Sequence, residues 1–199
     1  MIYDSQCLKN KFNNYININQ KVSLETNKGN LIRIKKGLYS SDLTKDALVL
    51  ANLCCSPSYL SFEYALSYYS LIPEYVSVFT SACYNKKNNK TYNIENYCFK
   101  YLNIPNDVFS DGITFLISES GIRYKIATKE KALCDTLYSK YSVRAIKDLK
   151  TLLFDDLRID EQEFMKLDFN FILSIADKYH SNTLNTLIKY IKELNKWVQ

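Results

Sequence analysis

The stretch Leu31-Ile32-Arg33-Ile34-Lys35-Lys36-Gly37-Leu38-Tyr39 alternates apolar and polar residues, then turns at a basic Lys-Gly step into a second extended pair. Period-two alternation ending at Lys36-Gly37 predicts a β-hairpin with a positively charged tip. Upstream, Asp4 or Ser5 is placed to cap a helix through Phe12, with Leu8 and Phe12 stacked one turn apart. Asn17 or Asn19 can cap a second helix that ends at Gly29, a residue suited to the left-handed position after a helix. Helix, helix, basic hairpin is the order of a winged helix, here with only Met1 to Tyr3 ahead of it. In that arrangement the second helix lies in the major groove and offers Asn17, Asn19, Gln20, Lys21, Ser23 and Lys28 to DNA. Arg33, Lys35 and Lys36 then meet phosphates or the minor groove. The alternative is a shortened wing kept as a structural cap on the segment that follows.

Charge placement fits a nucleic-acid partner as well as it fits a solvated basic face or a short tail, and the order of elements decides for the former. Residues 1–45 hold eight Lys/Arg against Asp4, Glu25 and Asp42, which accounts for the whole net charge of +5. The rest of the chain balances its signs. A phosphate backbone is attracted to such a segment, with release of counterions. Composition bounds the remainder: 199 residues, 47% of them hydrophobic, suffice for one substantial core with a small satellite. The longest apolar run, Ala47 to Cys55, is interrupted by Asn52 and is far shorter than the roughly 20 residues a bilayer span requires. Asp4, Gln6 and Lys9 stand where a secretory apolar region would be, so a cytoplasmic location is expected. Cys7, Cys54, Cys55, Cys83, Cys98 and Cys134 lack C-x-x-C spacing and read as small buried hydrophobes in a reducing compartment.

Beyond the hairpin the chain reads as α+β, with residues 1–45 as the winged-helix-like head and 46–199 as a mixed α/β domain ending in helices. Helix is expected over Asp46 to Cys55, then an extended Pro57 to Leu60, and Ser61 as N-cap of a helix through Tyr69 that Pro73 stops. Val76–Thr80, Tyr97–Leu102, Phe115–Ser118 and Gly121–Ile126 have strand-like content. Thr128 is placed to cap a helix to about Tyr141, with Ala132 and Leu133 inward and Lys131 one turn from Asp135 on the outside. Four further helices are expected over Val143–Phe154, Asp160–Leu167, Phe171–Tyr179 and Asn182–Val198. The last carries Leu184, Leu187, Ile188, Ile191 and Leu194 in register, a stripe expected to pack on the chain's own sheet.

Catalytic signatures are weak. Glu63, Glu130, Lys131 and Asp135 are the carboxylates and amines of the two most ordered stretches, but Glu130-Lys131-Ala132 opens a helix and does not make the E-x-K of a metal-dependent nuclease. His180 is the single histidine and falls in a polar break between helices, without the cysteines a zinc site would need. Gly29, Gly37, Gly112 and Gly121 are isolated, so no phosphate-cradling loop is built. No catalytic set, metal or cofactor is expected.

The two ordered stretches are Pro57-Ser58-Tyr59-Leu60-Ser61-Phe62-Glu63-Tyr64-Ala65-Leu66-Ser67-Tyr68-Tyr69, running on to Leu71-Ile72-Pro73-Glu74, and Ile126-Ala127-Thr128-Lys129-Glu130-Lys131-Ala132-Leu133-Cys134-Asp135. With the Arg33 to Tyr39 wing they resemble the AbiEi family of antitoxins, the transcriptional-regulator halves of type IV toxin–antitoxin and abortive-infection (phage-defence) systems. The resemblance covers residues 30–140 well, 1–29 loosely, and fades through the C-terminal helices. It implies a winged-helix head that binds the promoter of its own operon, and no enzymatic activity; on that reading two copies on two half-sites are expected. It also implies a following domain that counteracts a nucleotidyltransferase-like toxin without a stable complex being required. In these stretches Tyr59, Phe62, Leu66 and Leu133 read as core, leaving Glu63, Lys131 and Asp135 as the candidate antitoxin surface. The competing reading is an interaction or antagonist protein whose head no longer binds DNA.

Overall fold

The computed structural model describes residues 1–85 and 88–197 of an α+β chain. At the N-terminus, Ile2–Asp4 (β1) is followed by Ser5–Lys11 (α1) and Ile18–Asn27 (α2), then Ile32–Lys35 (β2) and Leu38–Ser40 (β3). Local chemistry sets the two helices. The Asp4 carboxylate accepts from the Cys7 N–H at 2.7 Å, and the Asn17 side chain accepts from the Gln20 N–H at 3.1 Å. Each such cap is worth about 1 kcal/mol. Gly29 ends α2 at φ +77°. The residues before α1, too few for a helix, are a strand instead: β1 pairs with β3, so the sheet runs β1-β3-β2. Leu8, Phe12, Val22 and Leu31 form a small core beneath it, separate from the main one.

Leu43–Cys54 (α3) begins three residues earlier than its apolar pattern suggests, because Asp42 caps it by accepting from the N–H groups of Thr44 and Lys45. The helix joins head to body. Tyr101 donates to the Ala51 carbonyl at 2.7 Å, and the Asn52 amide bridges the N–H and C=O of Lys125.

The body is built on Ser58–Leu60 (β4), Val78–Cys83 (β5), Lys90–Ile94 (β6), Tyr97–Asn103 (β7), Ile113–Ile117 (β8) and Arg123–Ala127 (β9). They form one sheet in the order β6-β7-β5-β4-β9-β8, parallel at β5/β7 and β4/β9 and antiparallel elsewhere. Strand β5 extends through Ser81-Ala82-Cys83, which have little β-branched character, because both of its neighbours pair with them. Strand β6 was not among the expected strands, although Thr91, Tyr92 and Ile94 favour extended backbone; it pairs antiparallel with β7. Part of the Asn-rich run Lys86 to Lys90 lies outside the described residues.

Helices Phe62–Tyr68 (α4) and Lys129–Ser139 (α5) pack on each other, and α5 packs against the C-terminal helices. These are Ile146–Lys150 (α6), continued by a π-helical stretch Thr151–Asp156, then Glu161–Met165 (α7), Phe169–Ala176 (α8) and Asn182–Trp197 (α9). Leu184, Leu187 and Ile191 of α9 are buried, but against α5, α6 and α8 where the sheet was expected. That helix was expected to reach Val198, which is outside the described residues. His180 is exposed, with φ +50°, in the break between α8 and α9. Cys54, Cys55, Cys83 and Cys134 are buried and burial pushes the Cys54 thiol up to about 11, whereas Cys7 is exposed and Cys98 half-buried. Among the described residues no helix is long and apolar enough to cross a membrane.

Candidate nucleic-acid interface

Helix α2 turns Val22 into the small core, which leaves Asn19, Gln20, Ser23 and Asn27 exposed along one arc. At about 100° per residue these four fall within about a third of the helix circumference. All four are polar and uncharged, able both to donate and to accept hydrogen bonds. One flank of the arc is concave: Asn19, Ser23 and Asn27 border a cleft with Arg33 and Tyr39. Across Tyr39 a second hollow is bordered by Ser5, Lys9, Asn19, Lys36 and Gly37. Asn19 and Tyr39 therefore sit between Arg33 on one side and Lys9 and Lys36 on the other. Lys9, Tyr39 and Asn27 are absent from the sequence-derived set; hairpin and helix pattern give no hint that α1 and β3 face the same hollow as α2.

The other expected contacts are placed differently. Asn17 spends its side-chain oxygen on the cap of α2. Lys21 is partly buried, donates to Glu25 at 2.7 Å and sits 4.8 Å above the Tyr15 ring, and the Glu25 carboxylate beside it raises its pKa. Lys28 is exposed at the C-terminal end of α2, away from its polar arc. Lys35 turns toward the body. Its amine donates to the carbonyls of Leu53 at 2.8 Å and Cys54 at 3.1 Å, the unpaired acceptors at the C-terminal end of α3. A cation there satisfies the helix dipole and fastens the hairpin to the body. Lys35→Ala is expected to cost about 1 kcal/mol of stability in urea unfolding.

The candidate antitoxin surface separates in the same way. Glu63 is partly exposed and accepts from Lys140 at 2.6 Å. Lys131 and Asp135 are not surface residues at all: both are 0% exposed, 3.2 Å apart within α5. The spacing that reads as an exposed pair is buried because Tyr59 and Ser61, the turn at Val108, and Tyr179 beyond the end of α8 close on it. Lys131 donates also to the Val108 carbonyl and the Tyr179 hydroxyl, each at 2.7 Å. Asp135 accepts from Tyr179 at 2.5 Å on one oxygen, and from Ser61 at 2.6 Å and Tyr59 at 3.0 Å on the other. Ser61, expected to cap α4, makes no cap bond because its hydroxyl is committed to Asp135. Thr128 does cap α5, accepting from the Lys131 N–H.

Burial pushes the Lys131 amine below its ordinary value, and pushes the Tyr59 and Tyr179 phenols far above theirs. All three protons of the amine have acceptors and both carboxylate oxygens have donors. With no solvent access, no group of the cluster is left over for a substrate. It joins the two ordered stretches of sequence, Tyr59 and Ser61 from one, Lys131 and Asp135 from the other. Among the described residues no group of three or more His, Cys, Asp or Glu is placed to hold a metal ion. Comparison of the chain with protein-family models and with curated proteins gave no match.

Proposed function

We propose that the chain is an antitoxin and transcriptional autoregulator of a bacterial type IV toxin–antitoxin system, acting in the cytoplasm. Its N-terminal unit works as a winged helix, with α2 in the major groove and the β2–β3 hairpin as the wing on the phosphate backbone. The observation that carries this reading is the uncharged polar arc of α2 flanked by Arg33, Lys36 and Lys9, in the segment that bears the net charge. Uncharged amides and hydroxyls discriminate base edges, while cations at the rim hold the backbone. The body counteracts a nucleotidyltransferase-like toxin, a role that draws on the likeness of the two ordered stretches to AbiEi antitoxins.

Fluorescence anisotropy of the full chain on duplex from upstream of its own operon, across a salt series, tests the head. Each phosphate contact contributes about 0.9 to the log–log salt slope, so Arg33→Ala/Lys36→Ala is expected to lower the slope by about 2 and to weaken binding to all sequences alike. A slope unchanged by the double substitution overturns the assignment. The competing reading, an antagonist protein without DNA binding, draws on Lys21 and Lys35, whose charges are already engaged within the chain. It predicts weak binding with a flat salt response. For the toxin role, co-expression with a neighbouring nucleotidyltransferase-like gene product should relieve growth arrest; persistent arrest with both proteins present refutes it.

A further inference from the structure

The two edges of the six-stranded sheet differ in chemistry. At one, β6 is guarded by exposed Lys90, Thr91 and Asn93. At the other, β8 reads Ile113-Thr114-Phe115-Leu116-Ile117, without charge, proline or break in register. Its Phe115 and Ile117 are 59% and 67% exposed. Edge strands are ordinarily blunted by charge, proline or a bulge, since bare N–H and C=O groups invite another strand.

The open groups can be identified. Flanking the β8–β9 ladder, the Ser118 N–H donates to the Ile122 carbonyl and the Thr128 N–H to the Gly112 carbonyl. In an antiparallel pair the hydrogen-bonded residues alternate, so Gly112, Thr114, Leu116 and Ser118 spend their backbone groups on β9. Ile113, Phe115 and Ile117 therefore aim theirs outward. Among the described residues none of those three makes a backbone bond outside the β8–β9 ladder.

We propose that β8 pairs antiparallel with β8 of a second copy, about a two-fold axis at Phe115. That register sets Phe115 against Phe115 and Ile113 against Ile117, and uses every outward N–H and C=O of the three residues. The charges permit it. Arg123 and Lys125 lie on β9, so their backbone positions in the two copies stand three strand spacings apart, about 14 Å, and no charged residue lies on the paired strands themselves. The Lys125 amine lies 5.9 Å from the Phe115 ring centre, a side-chain contact on one face of the sheet. An isologous pair of this kind closes at two copies and cannot propagate. It would present two heads to two half-sites, although the pairing itself does not depend on DNA.

Sedimentation equilibrium of the full chain without DNA, from micromolar to near-millimolar concentration, should show a species of twice 23.2 kDa. Phe115→Lys and Ile117→Lys, each confirmed as folded by its thermal melt, should remain monomeric. A positive test comes from Phe115→Cys in a Cys7→Ser background. Directly opposite residues in a hydrogen-bonded pair lie about 5.5 Å apart at Cα, within disulfide reach. Oxidation should give a covalent dimer, whereas Ile122→Cys in the hairpin turn should not. A chain that stays monomeric throughout and does not cross-link at position 115 overturns the proposal, as does a dimer that survives both lysine substitutions. Neither result touches the DNA reading, since no DNA is present.

Discussion

Replacing Lys131 by methionine is expected to lower the unfolding free energy by about 3–5 kcal/mol, read as a drop in the urea midpoint followed by circular dichroism. The side chain fits by length, so the loss is electrostatic. Asp135 would keep its bonds from Tyr59, Ser61 and Tyr179 but face no cation at 0% exposure. The Val108 carbonyl and the Tyr179 oxygen would lose a donor as well. Lys131→Met/Asp135→Leu removes the stranded carboxylate and should cost less than the two single substitutions added together, because neighbours in one network are not additive. Salt separates this pair from a surface one: Lys140–Glu63, about a third exposed on each side, should weaken in high salt, while the Lys131 effect should not change. A Lys131→Met protein within 1 kcal/mol of the parent would mean that water reaches the cluster in solution.

That cluster marks where sequence reasoning stops. Local signals were legible: Asn17 and Thr128 cap the helices they were expected to cap, and Gly29 ends α2. The hairpin Ile32–Ser40 follows from alternation and a Lys-Gly turn alone. What the sequence hides is set by partners far along the chain. Lys131 and Asp135 at i, i+4 read as an exposed pair, yet the hydroxyls that make their burial tolerable come from Tyr59, Ser61 and Tyr179, more than forty residues away. No local signal pointed inward: at about 100° per residue Lys131, Asp135 and Ser139 share the polar side of α5, opposite Leu133 and Leu137, a pattern that by itself favours exposure. Strands β1 and β6 were missed for a different reason: Ile2-Tyr3 and Thr91, Tyr92 and Ile94 favour extended backbone, but segments of three and five residues beside polar runs are too short to stand out without the partner strand. Lys35 illustrates the same limit at the candidate site: a lysine beside a basic turn looks like a phosphate contact until the end of α3 is seen to lie beneath it.

Gly112→Ala is expected to cost about 2–4 kcal/mol, and the comparison that explains the figure is Gly121→Ala. Both glycines hold positive φ, +63° and +76°, a region where a Cβ costs about 1–2 kcal/mol. They differ in what that Cβ would meet. At Gly121 there is nothing within 4 Å, so the substitution should show the backbone cost and no more. At Gly112 the new atom would stand 2.8 Å from the Lys131 Cβ and 3.0 Å from the Phe171 ring. Neither neighbour can retreat freely: the Lys131 Cβ is set by the backbone of α5, and Phe171 belongs to α8, which packs on α5. Overpacking of this kind adds about 1–3 kcal/mol. Relief by a backbone shift would pull the Gly112 carbonyl from the Thr128 N–H it accepts at 2.8 Å, disturbing the residue that caps α5. The strain should therefore pass into α5 itself, and since the Cβ at position 131 is the same in lysine and methionine, Lys131→Met should not relieve it. Equal losses at positions 112 and 121 would show instead that α5 and α8 yield at that contact, and that the cluster is less rigidly held than its bonding implies.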